Sequence, residues 1–121
     1  MLIVTNGDAI ADRLMALGLE ADILPWRDVL HDGPVRSAPN LQTQSQARAS
    51  FLATMSGASE ASVLLDMAAR DQRYDVALAD ERTVLLFEHD LYDQLQLAQL
   101  LWAASSALTL PDLLLAQTNT H

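Results

Sequence analysis

Three short, mostly apolar runs, at residues 2–5, 83–87 and 113–116, and a further short strand-like run, Ala21–Leu24, which carries Asp22, are separated by segments in which apolar residues return at helical spacing. A continuous apolar run of this length is how a strand buried on both faces reads in sequence. Strands that alternate with helices need crossover connections, and crossovers are right-handed, so the strands should be parallel. The expectation is a small doubly wound, Rossmann-like α/β domain: a mostly parallel four-stranded sheet of order 2-1-3-4 with helices on both faces. At 121 residues the chain reads as one domain, 1–121, large enough to bury roughly two thirds of its unfolded surface.

The punctuation between the runs supports this order. Asn6-Gly7 breaks the first run, and Asp8 can cap a helix carrying Ile10, Leu14 and Leu17, with Gly18 at its left-handed C-terminal position. Pro25-Trp26 closes the second run. The stretch 26–39, with Gly33 and two prolines, reads as a loop, and long ordered loops are often functional. Ala47, Phe51, Leu52 and Met55 mark one face of a second helix, with Arg48 outside that stripe. Gly57 ends it. Ser59 and Glu60 open a third helix running to about Ala79, with Val63, Leu64, Met67 and Tyr74 inward. A fourth, from Leu91 to about Ser105, is apolar on most of its circumference except at Gln94, Gln96 and Gln99, which suits a sandwiched helix.

Composition narrows the function. The formal charge is −9, and the seven basic residues are all arginine, scattered without a cluster. Sequence-independent nucleic-acid binding needs a basic surface that displaces counterions, so no nucleic-acid partner is expected. The same charge disfavours anionic membranes, and no apolar run approaches the roughly 20 residues of a spanning helix. A basic segment followed by an apolar one is missing at the start, so no secretory leader is expected. The chain contains no cysteine, which fits a reducing compartment, and a cytoplasmic location is the expectation.

Candidate chemistry concentrates where apolar runs end. In open α/β sheets ligands collect at the carboxyl ends of the strands, where the strand order reverses. Order 2-1-3-4 reverses between strands one and three, so Asn6, Gly7 and Asp8 would face Glu88, His89 and Asp90 across a crevice. Gly7 permits close backbone approach, while Asp8 suits a hydroxyl, amine or metal better than a phosphate. Asp8 and Asp90 also have a simpler role as helix caps. A carboxylate directly after an apolar strand is costly unless something uses or pairs it, which marks Glu88. Its structural partner would be an arginine such as Arg48 or Arg70. In the loop, Trp26 can stack on a flat ligand, Asp28 can orient it, and His31 can act as acid or base; equally, Trp26 beside Pro25 can be a packing lid.

Other chemistries lack their signatures. His31, His89 and several carboxylates are available, but no spacing matches a His-x-x-x-His pair or an EF-hand loop, so no metal is assigned. No cofactor is assigned either. A Gly-x-Ser-x-Gly elbow, a phosphate-binding loop and the dinucleotide glycine pattern are all missing.

Several blocks together resemble an uncharacterised bacterial family, domain-of-unknown-function family 1835. They are Asn6-Gly7-Asp8, Trp-x-Asp-x-Leu-x-x-Gly-Pro at residues 26–34, Arg-Ala-x-Phe-Leu at 48–52, Arg70-Asp71, and Phe-Glu-His-Asp-Leu-Tyr-Asp-Gln-Leu at 87–95. The resemblance implies no activity. It does imply a longer architecture, because family members usually carry a further helical region.

Two functional readings follow. In the first, the domain holds a polar small-molecule site, and hydrolyses or transfers a group on a nucleotide- or sugar-like ligand. Glu88, His89 and His31 are then the acid–base residues, and Asn6, Gly7, Asp8, Trp26, Asp28, Asp90 and Arg48 bind the ligand. In the second, it is a non-catalytic sensor or interaction module whose polar cluster is structural. The fourth strand has no following helix to cover it, so a homodimer, or docking with a helical partner region, is expected in either case.

Overall fold

A computed structural model describes residues 1–27, 40–88, 91–107 and 110–118. The described chain runs β1 (Leu2–Asn6), α1 (Gly7–Ala16), β2 (Asp22–Trp26), α2 (Leu41–Ser56), α3 (Glu60–Asp80), β3 (Thr83–Glu88), α4 (Leu91–Ala104) and β4 (Leu113–Thr118). The strands form one sheet of order β2-β1-β3-β4, parallel at every pairing, as the alternation of elements requires. Leu2 lies between Asp22 and Thr83, and Leu85 lies between Val4 and Leu115, so strand starts and strand ends are level.

The caps are those the turn chemistry favours. The Asn40 side chain accepts from Thr43 N at 2.8 Å to start α2, and Ser59 Oγ accepts from Ser62 N at 3.1 Å to start α3. Gly57 follows α2 at φ 74° and Gly18 follows α1 at φ 67°, conformations that favour glycine. At α1 the capping residue is Asn6 rather than Asp8, and its side chain does not bond the helix amides.

Because the winding reverses at β1, α1 lies on one face of the sheet and α2, α3 and α4 on the other. The main core forms on the three-helix face: Leu2, Val4, Trp26, Leu85 and Phe87 pack against Leu41, Tyr74, Leu78, Leu97 and Leu100. On the other face Ile3 and Thr5 are buried along with Ala11 of α1, which lies over β1 and β2. The side of β3 carrying Val84, Leu86 and Glu88 is only half-buried. Beside it on β4, Leu114 is 46% exposed.

The helix α2 turns a different face inward from the one its apolar residues suggest, and α4 buries two of the polar positions that interrupt its apolar circumference. In α2 the buried stripe is Leu41, Gln44, Ser45, Arg48, Ala49 and Ala53, whereas Met55 is 58% exposed. In α4, Gln96 and Gln99 are buried beside Leu97 and Leu100, and Leu101 is exposed. Both stripes have helical spacing, but polar side chains occupy part of each, so apolar residues alone point elsewhere.

The middle of β3 and the edge strand β4 should therefore respond differently to the same truncation. Leu85 is fully buried and its register partner Leu115 is 52% exposed. In urea unfolding, Leu85→Ala is expected to lose about 2–5 kcal/mol, and Leu115→Ala about 1 kcal/mol or less.

Candidate functional site

The carboxyl ends of β1 and β3 lie side by side, and the side chain joining them comes from α4. Asp93, third residue of α4, is buried. Its Oδ2 accepts from the backbone N–H of Glu88 at 2.7 Å, and its Oδ1 accepts from Nδ2 of Asn6. Gln94 Nε2 donates to the Glu88 carbonyl at 3.0 Å. Both backbone polar groups of Glu88 are thus satisfied by the first turn of α4, and Asp93 ties the last residue of β1 to the last residue of β3. Gly7, at φ 61°, turns the chain directly from β1 into α1.

Asp8 stands in the first turn of α1 and is held by Arg27, with Nη2 at 2.7 Å and Nε at 2.8 Å from Oδ1. Both side chains are solvent-exposed, so the pair ties α1 to the residue after β2 with little net stabilisation. Asn6, Gly7 and Glu88 are brought to one end of the sheet, and Asp8 is drawn toward the β2 side. The Glu88 side chain lies on the half-buried side of β3. His31, Asp28, His89 and Asp90 lie outside the described residues.

Trp26 is level with Asn6 across the β1–β2 register but turns into the core, where it is fully buried. The face expected to stack on a ligand meets a protein cation: Arg70 Cζ lies 3.8 Å from the ring centroid. Tyr74 meets the same ring edge-on, with centroids 5.6 Å apart and planes at 68°. Trp26 Nε1 donates to Gln99 Oε1 at 2.8 Å, and Gln99 Nε2 donates in turn to Gln44 Oε1. Gln96 Nε2 donates to the Trp26 carbonyl at 3.1 Å, and Tyr74 OH to the Leu100 carbonyl at 2.9 Å.

Arg70 is engaged here and not with Glu88. Its Nε and Nη2 donate to Asp71 Oδ1 at 3.0 and 2.8 Å, and Nη2 reaches Ser45 Oγ at 3.1 Å. Ser45 Oγ donates to the other carboxylate oxygen of Asp71 at 2.6 Å. Burial pushes the Asp71 carboxyl above the usual aspartate range, against the pull of Arg70 and Ser45. Arg48 is also fully buried on α2, with its guanidinium carbon 5.3 Å from the Phe51 ring centroid.

The polar residues at and around these contacts that the predicted site does not include are Asp93 and the inward set Gln44, Ser45, Gln96 and Gln99, while Arg70, expected as a partner of Glu88, belongs to this inward set. The available signal is spacing: Asp93, Gln96, Leu97 and Leu100 stand at i, i+3, i+4 and i+7, one helix face, once polar residues are counted with apolar ones. Among the described residues no group of three or more His, Asp or Glu side chains is arranged to hold a metal ion. No described helix is long and apolar enough to cross a membrane. Comparison with protein-family models, curated proteins and solved structures finds no significant match.

Two outcomes follow for the buried carboxylates. Asp93→Ala should lose several kcal/mol, because it leaves the Glu88 amide and the Asn6 amide without their acceptor. Asn6→Ala in that background should add little, so the two losses in urea melts will be strongly non-additive. Asp71→Ala should lose about 3–5 kcal/mol by leaving Arg70 buried without its carboxylate, and the paired change Arg70→Met with Asp71→Leu should lose less. The pH dependence has a definite sign. The folded pKa of Asp71 is raised, so the folded state takes up this proton before the unfolded chain does, and its contribution to stability grows as pH falls through that window. Glu81 behaves oppositely: the hydrogen bond from Arg73 lowers its pKa, and its contribution is lost on acidification.

Proposed function

We propose that the domain binds a polar small molecule, of nucleotide or sugar type, at the carboxyl ends of β1 and β3. Glu88 with His89 would supply acid–base chemistry for hydrolysis or group transfer, and Asp8, Asp28 and His31 would orient the ligand or move protons. The observation that carries this reading is the Asp93 clip. It fixes the ends of β1 and β3 at the point where the strand order reverses, so the Glu88 carboxyl group is presented from a strand whose end cannot drift. Of these ligands, a sugar or the nucleoside part of a nucleotide suits the site better than a phosphate group does, since Asp8 stands in the first turn of α1, where an anion would otherwise sit.

A second reading is favoured by a different observation. Trp26, Arg70, Asp71 and Arg48 are all buried, so much of the polar cluster is committed to holding the fold. That suits a sensor or interaction module, acting as a homodimer or on a helical partner region through β4. Leu110, Leu114 and Leu115 are exposed there, and β4 carries no charged residue.

Thermal shift against nucleosides, nucleotides and sugars separates the two. A ligand present at about one hundred times its Kd stabilises by about 2.7 kcal/mol. Glu88→Gln should abolish that stabilisation while leaving the urea midpoint of the unliganded protein close to the parent value. A Glu88→Gln variant that keeps the ligand response, or that loses several kcal/mol without ligand, favours the second reading.

A further inference from the structure

The two edges of the sheet are not equivalent. β2 lies at one and β4 at the other, and among the described residues no strand pairs with the outer side of either. An outer edge is a row of backbone donors and acceptors, and another extended backbone is what satisfies such a row. The direction of each row follows from one bond. Asp22 N–H donates to the Met1 carbonyl at 3.0 Å, so Asp22, Leu24 and Trp26 turn their backbone groups toward β1, while Ile23 and Pro25 turn theirs outward. Proline has no N–H, so the outer row of β2 keeps a single donor, that of Ile23. This edge is protected against pairing.

β4 has no such protection. The Asp112 carbonyl accepts from Thr83 N–H at 2.9 Å, so Leu114, Ala116 and Thr118 turn their backbone groups toward β3, while Leu113, Leu115 and Gln117 turn theirs outward. Each of these three outward residues offers one donor and one acceptor, and the strand contains no proline, glycine or charged residue. Asp112, just before it, is paired with Arg82. In a chain of formal charge −9, like-charge repulsion opposes self-association, and it is least along an uncharged strand.

The outer row of β4 is also its own complement. We propose that a second copy of the chain pairs with this edge, antiparallel, with Leu115 on a two-fold axis. Leu115 then exchanges both backbone hydrogen bonds with Leu115 of the partner subunit, and Leu113 does so with Gln117 of the partner subunit. The two four-stranded sheets become one continuous sheet, closed by the two-fold. Pairing of β4 with β2 of another copy would meet the missing donor at Pro25 and would propagate head to tail without closing. The inference rests on the second reading above, to which it gives a definite partner and register.

The chain contains no cysteine, so one introduced thiol reports one contact. Directly opposite residues of a hydrogen-bonded antiparallel pair have Cα atoms about 5.5 Å apart, within reach of a disulfide. The two copies of residue 117 would stand roughly 14 Å apart along the strands. Leu115→Cys should therefore give a covalent dimer on mild oxidation, and Gln117→Cys should not. Light scattering at micromolar concentration should show the parent protein as a closed dimer. Leu115→Lys, at a position 52% exposed, sets two like charges face to face and should weaken the dimer at least about tenfold, with the far-ultraviolet circular dichroism of the parent retained. Gln117→Lys, on the same outer row, serves if Leu115→Lys does not fold. A parent protein that stays monomeric would overturn this inference together with homodimerisation in the second reading. A dimer that persists undiminished in the lysine variants, or that cross-links through Gln117→Cys rather than Leu115→Cys, would overturn this pairing and leave association to another surface. Open-ended oligomers would overturn it in favour of pairing between β4 and β2.

Discussion

The buried tryptophan at the end of β2 is the contact on which the helical layer depends. Trp26 meets α3 through Arg70 and Tyr74 and α4 through Gln96 and Gln99, and Gln99 carries the connection on to Gln44 of α2. An apolar core resists exposure but is tolerant of sliding, because dispersion contacts are non-directional. A ring that must place one N–H on a glutamine and one face under a guanidinium tolerates far less. The polar contacts therefore set the register of three helices against the sheet, while Leu2, Val4, Leu85 and Phe87 supply the apolar burial beneath them. The arrangement is demanding, since a buried network with a missing member is worse than an apolar core.

Asp93 does for the strand ends what Trp26 does for the helices. Open parallel sheets leave their carboxyl ends without hydrogen-bond partners, and loops usually supply them. Here one carboxylate serves Asn6 and Glu88 together, from the first turn of a helix whose N-terminal amides favour negative charge. Helix, capping chemistry and strand registry are thus joined in one residue. A ligand bound at this point, as proposed above, would meet strand ends tied together by Asp93, with Glu88 at their margin.

Much of this architecture is legible in the sequence, and the illegible part has a physical pattern. Short apolar segments bounded by turn residues and alternating with helical spacing locate the four described strands and their parallel order, even though only β1 is buried along most of its length and β4 is largely exposed. Gly18, Gly57 and Ser59 mark helix ends for equally local reasons. What escapes is orientation where a buried stripe contains polar residues. Arg48 reads as lying off the apolar stripe of α2 and is in fact on its buried side, and Gln96 and Gln99, which read only as interruptions of the apolar circumference of α4, turn toward Trp26. Burial of such groups is permitted only by partners distant in sequence: 73 residues separate Trp26 from Gln99. Local spacing can group such residues on one helix face, but it does not say which distant residue they meet. The same holds for the candidate site, where the cluster at the end of β3 is visible but the role of Asp93 depends on Asn6, 87 residues away.

The reversal of winding at the candidate site also leaves the sheet unevenly covered among the described residues. Among the described residues one helix serves the α1 face, and its main contacts are with β1 and β2. Val84 and Leu86 of β3 and Leu114 and Ala116 of β4 share the other half of that face, where no described helix packs. By strand alternation Glu88 belongs to the same row as Val84 and Leu86. Anything that comes to cover this apolar strip therefore also borders the Glu88 carboxyl group. It would lower the local dielectric and strengthen whatever electrostatic interaction that group makes. If the domain associates through β3 and β4 and carries out chemistry at the strand ends, as proposed above, a single row of side chains would link the two, rather than a long path through the core.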